Sequence, residues 1–144
     1  ARPDIALSGD FIVGFPGETE AEFEDTLRIV DEVRYAACFS FKYSPRPGTP
    51  AATLDNQIAP EVMDERLQRL QQRIGQHQLA FNQASVGARC LVLVERKGRH
   101  PGQWLGKSPW LQSVHFEGDH AIGDLVEVTL AEAGPNSLRG SPVY

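Results

Sequence analysis

Two short stretches carry residue types and spacings suited to chemistry. The first is "GFPGET", Gly14 to Thr19, directly after the apolar run "DFIV". Its glycines let a backbone approach a ligand closely. A phosphate-binding P-loop would place Gly-Lys-Ser/Thr after four spacers, and no lysine stands here. A dinucleotide fingerprint needs G-x-G-x-x-G, whereas Gly14 and Gly17 make only G-x-x-G. A nucleophile elbow needs a serine between its glycines, and there is none. The second stretch is "YSPRPGTP", Tyr43 to Pro50, in which Arg46 stands between two prolines. That stiffens its backbone, so the guanidinium can be aimed. By residue physics alone, the first stretch is a tight turn or one wall of a ligand site. Arg46 is likewise a solvated loop residue or a ligand contact.

The surrounding elements decide where these stretches fall. "IALSGDFIVGF" ends in a continuous apolar run, the pattern of a strand covered on both faces. Thr19 and Glu22 form a T-x-x-E capping box, and Phe23, Leu27, Ile29, Val30 and Val33 follow as a helix stripe. Glu20, Glu22, Glu24 and Asp25 crowd the first turns, where the helix dipole favours acids. "ACFSFKYS" is a second strand. Strand, helix and strand make a βαβ unit with parallel strands and a right-handed crossover. Both stretches then lie at the carboxyl edge of one sheet, where α/β folds place their sites. Two parallel strands need cover on both faces and both edges. Residues 1–44 therefore read as the last part of a larger α/β barrel or doubly wound sheet.

A loop with four prolines, "SPRPGTPAATLDNQIAP", leads to a long helix, "PEVMDERLQRLQQRIGQHQLAFNQASVG". Pro60 suits its first turn. Val62 or Met63 with Leu67, Leu70, Ile74 and Phe81 make one narrow apolar stripe, and the other faces are rich in Gln and Arg. After Gly87 the period changes. "ARCLVLVE", "QWLGKS", "WLQSVHF", "DLVEVTLA" and "SLRGSPV" are short alternating runs between Gly- and Pro-containing turns. They predict a small five-stranded OB-like barrel. Val126, Val128 and Leu130 should share one face, with Glu127 and Thr129 on the other.

The chain of 144 residues carries a net charge of −5. All of the imbalance lies in residues 1–84, with 8 Lys/Arg against 13 Asp/Glu; residues 85–144 carry 6 of each. An acidic chain is a poor generic binder of nucleic acid, but its C-terminal part is not repelled by phosphate. No apolar window is long enough to span a membrane, and no signal peptide is visible. Cys38 and Cys90, flanked by apolar residues, read as two reduced core thiols in a cytoplasmic setting. His77, His100 and His120 have no companion at ligand spacing. The chain opens on Ala rather than Met, almost directly into a strand, and so reads as a piece of a longer protein.

"DFIVGFPGETEAEFEDT" and "FSFKYSPRPGTPAA" resemble the late barrel strands of the radical S-adenosylmethionine methylthiotransferases. The residues after Gly87, including "VLVE" and "VHF", resemble that family's C-terminal TRAM domain. The resemblance covers nearly the whole chain in the right order, with YSPRPGTPA some 24 residues after GFPGET. It implies an α/β plus all-β chain. Residues 1–84 would be the last βαβ part of an incomplete TIM-like barrel, with linker and long helix. Residues 85–144 would be an RNA-binding TRAM barrel.

The resemblance also implies a reaction, the addition of a methylthio group to carbon 2 of N6-isopentenyladenosine beside a tRNA anticodon. Relatives acting on threonylcarbamoyl-adenosine share the "SPRPGTPA" form, and a non-catalytic RNA-binding module is the third possibility. S-adenosylmethionine and two 4Fe-4S clusters are the implied cofactors. Ile12 and Gly14 would meet the adenine of S-adenosylmethionine, with Tyr43, Ser44 and Arg46 on the rim; Asp10 and Glu18 are weaker candidates. Arg89, Lys97, Lys107, His115 and Arg139 would meet tRNA, with Arg96, Arg99 and the rings of Trp104, Trp110 and Phe116 as further candidates. The family holds its clusters on a C-x-x-x-C-x-x-C motif and three more cysteines, and this chain carries neither set. No residue here is therefore assigned as catalytic or metal-binding. The remainder of the barrel would be a missing partner.

In a strictly monomeric preparation, the amides of the first β-strand pair should exchange hydrogen quickly for want of their sheet neighbours. Slow exchange there would contradict the reading of an incomplete sheet.

Overall fold

The computed structural model describes all 144 residues. They form two compact units, Leu7–His77 and a second made of Gln78–Tyr144 with Ala1–Ala6. No helix is long and apolar enough to cross a membrane.

The first unit runs β1 (Ser8–Val13), α1 (Glu20–Val33), β2 (Ala37–Lys42), a short 3-10 turn (Pro50–Thr53) and the first part of α2 (Pro60–Ser85). β1 and β2 pair in parallel, with Asp10 opposite Phe39 and Ile12 opposite Phe41. The capping box forms in full: Glu22 N–H donates to Thr19 Oγ1 at 3.2 Å, and Thr19 N–H donates to Glu22 Oε2 at 2.8 Å. α1 closes on Arg34, a left-handed C-cap with φ 55° whose N–H returns to the Val30 carbonyl.

The core of this unit is Val13, Phe23, Leu27, Val30, Leu70 and Ile74, packed between one face of the sheet and the two helices. Burying each such side chain is worth about 1.5–3 kcal/mol relative to exposure. Ile29, expected in the α1 stripe, is instead exposed, because it stands two positions from Leu27 and so turns away from the i, i+3, i+4 face. The other face of the sheet has no cover within the unit: Ile12 is 60 % exposed, Phe39 70 % and Phe41 52 %. The expectation that β1 is covered on both faces is thus met on one face only.

Charges fasten α1 to α2. Arg69 pairs with Glu20 and, one turn back along α2, with Glu65. Arg73 and His77 converge on Asp31. The hydrogen bond from His77 is the largest cause holding the Asp31 carboxyl below its ordinary range; the Arg73 charge adds to it and burial opposes it.

The second unit is a closed barrel of five strands: β3 (Arg89–Lys97), β4 (Gln103–Lys107), β5 (Ser113–Glu117), β6 (Leu125–Ala133) and β7 (Leu138–Pro142). The strand order is β3-β4-β5-β7-β6, and the only parallel pairing is β5 with β7. Closure leaves no free edge. Val92, Val94, Val114, Phe116, Val128, Leu130 and Leu138 fill the interior. Val128 and Leu130 are fully buried and Val126 packs on the same cluster, so the expected alternation of β6 holds. Two bulges interrupt the ladder, one between Val94 and Arg96 and one between Leu130 and Glu132.

Beneath the barrel lies a buried polar knot. Gln112 Nε2 donates to Asn82 Oδ1 at 3.1 Å and to Ser85 Oγ at 2.9 Å, while Ser108 Oγ donates to Gln112 Oε1 at 3.0 Å. Such a network is stable only when every member is satisfied.

Three outcomes follow. Gly106→Ala should destabilise the barrel by about 1–3 kcal/mol in urea unfolding, because a Cβ there would collide with the Leu93 carbonyl oxygen and Val92 Cγ1. Gly75→Ala, on an exposed helix position with open space around it, should stabilise by about 0.5–1 kcal/mol. The depressed Asp31 pKa gives stability that is complete above the ordinary aspartate range, about pH 4, and is lost as pH falls through the folded value. Asp31→Asn should flatten that acid limb of an unfolding profile.

Candidate functional site

The first candidate site is the carboxyl edge of β1 and β2. Tyr43 N–H donates to the Val13 carbonyl at 2.8 Å, so "GFPGET" and "YSPRPG" leave the sheet side by side. The Phe15 and Tyr43 rings meet edge to face with centroids 5.5 Å apart. Gly14 has φ 79° and Gly17 φ 83°, left-handed values that favour glycine. A Cβ on Gly14 would also collide with Met63 of α2.

Ile12 presents its side chain on the uncovered face beside Phe41. Asp10 lies exposed on that face too. Ser44 and Arg46 are exposed, and Arg46 makes no ion pair; its carbonyl is bonded by Thr49 instead. The Tyr43 hydroxyl is shielded from solvent and has no hydrogen-bond partner. The structure thus brings Ile12, Gly14, Tyr43, Ser44 and Arg46 to one edge. An open apolar face, a glycine backbone and an unpartnered hydroxyl fit the adenine side of a nucleoside cofactor such as S-adenosylmethionine. Glu18 is otherwise engaged: its Oε1 accepts from the Gly14 N–H at 3.1 Å and from Arg66 Nη1 at 2.9 Å.

An iron–sulfur cluster does not fit the thiols present. Cys90 is sealed in the barrel core, and Cys38 packs against the first unit's core. Burial, the largest cause at each, pushes both thiols up, away from the thiolate form that iron requires.

The second candidate site is on the outer face of the barrel. The pairing register sets Arg96, Leu105, His115, Arg139 and Glu132 in one row across five strands. Each bulge re-aims one member of the row, Arg96 on β3 and Glu132 on β6. A cavity of about 580 Å³ opens over this row, lined by Arg96, Arg99, His100, Leu105, Ser113 and His115 among others. A smaller one, about 290 Å³, continues past His115 to Glu117, Arg139 and Ser141. Arg139 pairs with Glu132 at 2.8 Å in an exposed bridge.

Of the residues singled out in the sequence, Arg96, Arg99, His115 and Arg139 line these cavities. Lys107 stands one place beyond, its Nζ donating to Ser113 Oγ at 2.8 Å. Arg89 and Lys97 are exposed and lie outside them. Phe116 is buried core. Trp104 and Trp110 pack partly on the core, and their indole N–H groups are already bonded to the carbonyls of Gly118 and Asp4. The three rings therefore serve the barrel rather than its outer face. His100, read in the sequence as a lone histidine, belongs to the cavity lining. No local spacing marks it, because the cavity forms only when the strands pair.

A further cleft, about 840 Å³, lies between α1 and α2. Of its lining charges, Arg28, Asp31, Arg69, Arg73 and His77 are committed to one another or to neighbouring carboxylates, and only Glu24 is unpaired, so the cleft offers an anion no free cation.

Residues 83–143 match the family model of the TRAM domain. A tRNA-2-methylthio-N(6)-dimethylallyladenosine synthase of Erythrobacter litoralis is 77% identical over 140 residues, which are 97% of this chain and 31% of that protein. The proteins of the same name from Novosphingobium aromaticivorans and Zymomonas mobilis are 74% and 64% identical over 140 and 139 residues, 97% and 96% of the chain, and 32% and 31% of their own lengths. The chain spans about a third of the length of the curated relatives it matches. The closed barrel is a TRAM domain. Over nearly its whole length the chain is similar to a stretch of these tRNA-2-methylthio-N(6)-dimethylallyladenosine synthases.

Proposed function

We propose that this chain supplies two parts of a tRNA-2-methylthio-N6-dimethylallyladenosine synthase. Residues 1–84 complete the carboxyl edge of its radical S-adenosylmethionine barrel, and residues 85–144 grip the tRNA. The observation that carries the reading is the uncovered face of the β1–β2 pair. Ile12, Phe39 and Phe41 stand exposed on it, directly below two loops at one edge. A parallel pair with one bare apolar face is a fragment of a larger sheet, and a strand-end ligand edge is what that sheet presents. The relatives' name and their greater length agree with this.

Bound S-adenosylmethionine, together with iron–sulfur clusters held elsewhere in the enzyme, supplies the radical and methylthio chemistry. This chain's residues bind and orient. Ile12 and the Gly14 backbone take the adenine; Tyr43, Ser44 and Arg46 form the rim. The cytoplasm, where tRNA is modified, is the compartment.

On the TRAM domain, Arg96, Arg99, His115 and Arg139 receive the RNA backbone, and Leu105 offers an apolar floor for an unpaired base. Lys107, Arg89 and Lys97 contact flanking phosphates.

The experiment is nucleoside analysis of tRNA from cells whose only copy of the full-length protein is altered. Ile12→Asp should remove the methylthio group from N6-isopentenyladenosine and leave threonylcarbamoyl-adenosine derivatives untouched; the opposite pattern would sink the substrate assignment. Arg96→Ala should weaken tRNA binding and lower its salt slope by about 1. An unchanged slope would move the RNA face elsewhere on the barrel.

A further inference from the structure

Glu18 is a part-buried acid in a turn whose helix already has its cap. Thr19 and Glu22 satisfy the start of α1 by themselves, so Glu18 is not needed there. Its side chain instead turns back and accepts from the Gly14 N–H. Arg66, 48 residues away on α2, holds it there: Arg66 Nη1 donates to Glu18 Oε1 and to the Glu18 carbonyl, both at 2.9 Å. The side chains are 7 % and 11 % exposed. The guanidinium also lies over the Phe23 ring at 5.8 Å, and its Nε faces Glu20 at 3.5 Å. One guanidinium therefore ties down the C-terminal end of the Gly14–Glu18 turn directly and its N-terminal end through a carboxylate.

A buried ion pair is a poor way to gain stability, because desolvation offsets most of the attraction. It is a good way to fix a geometry, since breaking it leaves a charge buried without its partner. The peptide it fixes is Gly14, whose left-handed φ leaves many directions open to an unrestrained glycine. Met63 from the same helix closes the space on Gly14's other side.

We propose that Arg66 is a positioning residue for the nucleoside edge. Acting through Glu18, it sets the Gly14 peptide so that Ile12 and Gly14 meet the adenine of S-adenosylmethionine in one orientation. The inference rests on the ligand edge proposed above. Arg66 touches no part of the ligand itself.

The test uses the full-length protein and S-adenosylhomocysteine, a non-reacting probe, with affinity measured by equilibrium dialysis. Arg66→Met should weaken the probe by about tenfold, in the range that misplacement of a remote support produces. Its tRNA affinity should move little, its thermal midpoint should fall because Glu18 is left buried without its partner, and its Gly14 amide should exchange faster. Glu18→Ala should cost the same, and the double variant no more than either single, because the two act in series. Arg66→Lys, which keeps one charged donor, should recover part of the loss; it carries the test alone if Arg66→Met does not fold. Ile12→Asp separates the two claims. If it weakens the probe while folded Arg66 variants bind normally, the positioning role is wrong and the edge stands. If Ile12→Asp also binds normally, the edge itself is wrong.

Discussion

A two-stranded parallel sheet is the constraint from which the first unit follows. Two strands cannot hide both faces, and a parallel pair lacks the short hairpin that would lend it local stability. The unit solves half the problem with two helices. Val13 from β1, three residues of α1 and two of α2 make a single dry layer on one face. The ion pairs from α2 to α1 then hold the second helix in register along the first. Everything on the bare face, including the edge proposed to meet a nucleoside, is left open because the covered face takes both helices.

The TRAM domain answers the same need differently, by closing. A five-stranded barrel is narrow, and the sites of close approach are glycines: Gly106 lies against the β3 backbone, and Gly140 lies between Val114 and Val128. The barrel's curvature and its outer chemistry share a cause. Each bulge bends a strand and at the same time turns a charged residue onto the row that crosses the cavity floor. A regular ladder would have put Arg96 and Glu132 on other faces.

Much of this was legible before any coordinates. The capping box at Thr19 and Glu22, the βαβ order and the alternation through Val126, Val128 and Leu130 are local patterns with short periods, and each forms as read. The two strand-end loops were found because glycine and proline mark special backbone. What escaped depends on distant partners. Arg66 and Asn82 sit among glutamines and arginines on faces that look uniformly polar, yet they are 6 % and 3 % exposed. Only the fold supplies Glu18 to one and Gln112 to the other. Ile29 failed in the opposite sense, an apolar residue two positions off the stripe. The cavity over Leu105 and His115 was invisible because register and bulges, not composition, assemble it.

The ion pairs of the first unit also bear on how it would greet an anion. Arg28, Lys42, Arg66, Arg69 and Arg73 are each committed to a carboxylate. Only Arg34 and Arg46 among residues 7–77 are left without one. Arg34 follows the C-terminus of α1, which runs back toward the opposite end of the strands. At the carboxyl edge, attraction for a negative group is therefore the property of one side chain. A ligand reaching that edge thus meets a single uncommitted positive charge on this unit, with no second cation beside it to bind a multiply charged group.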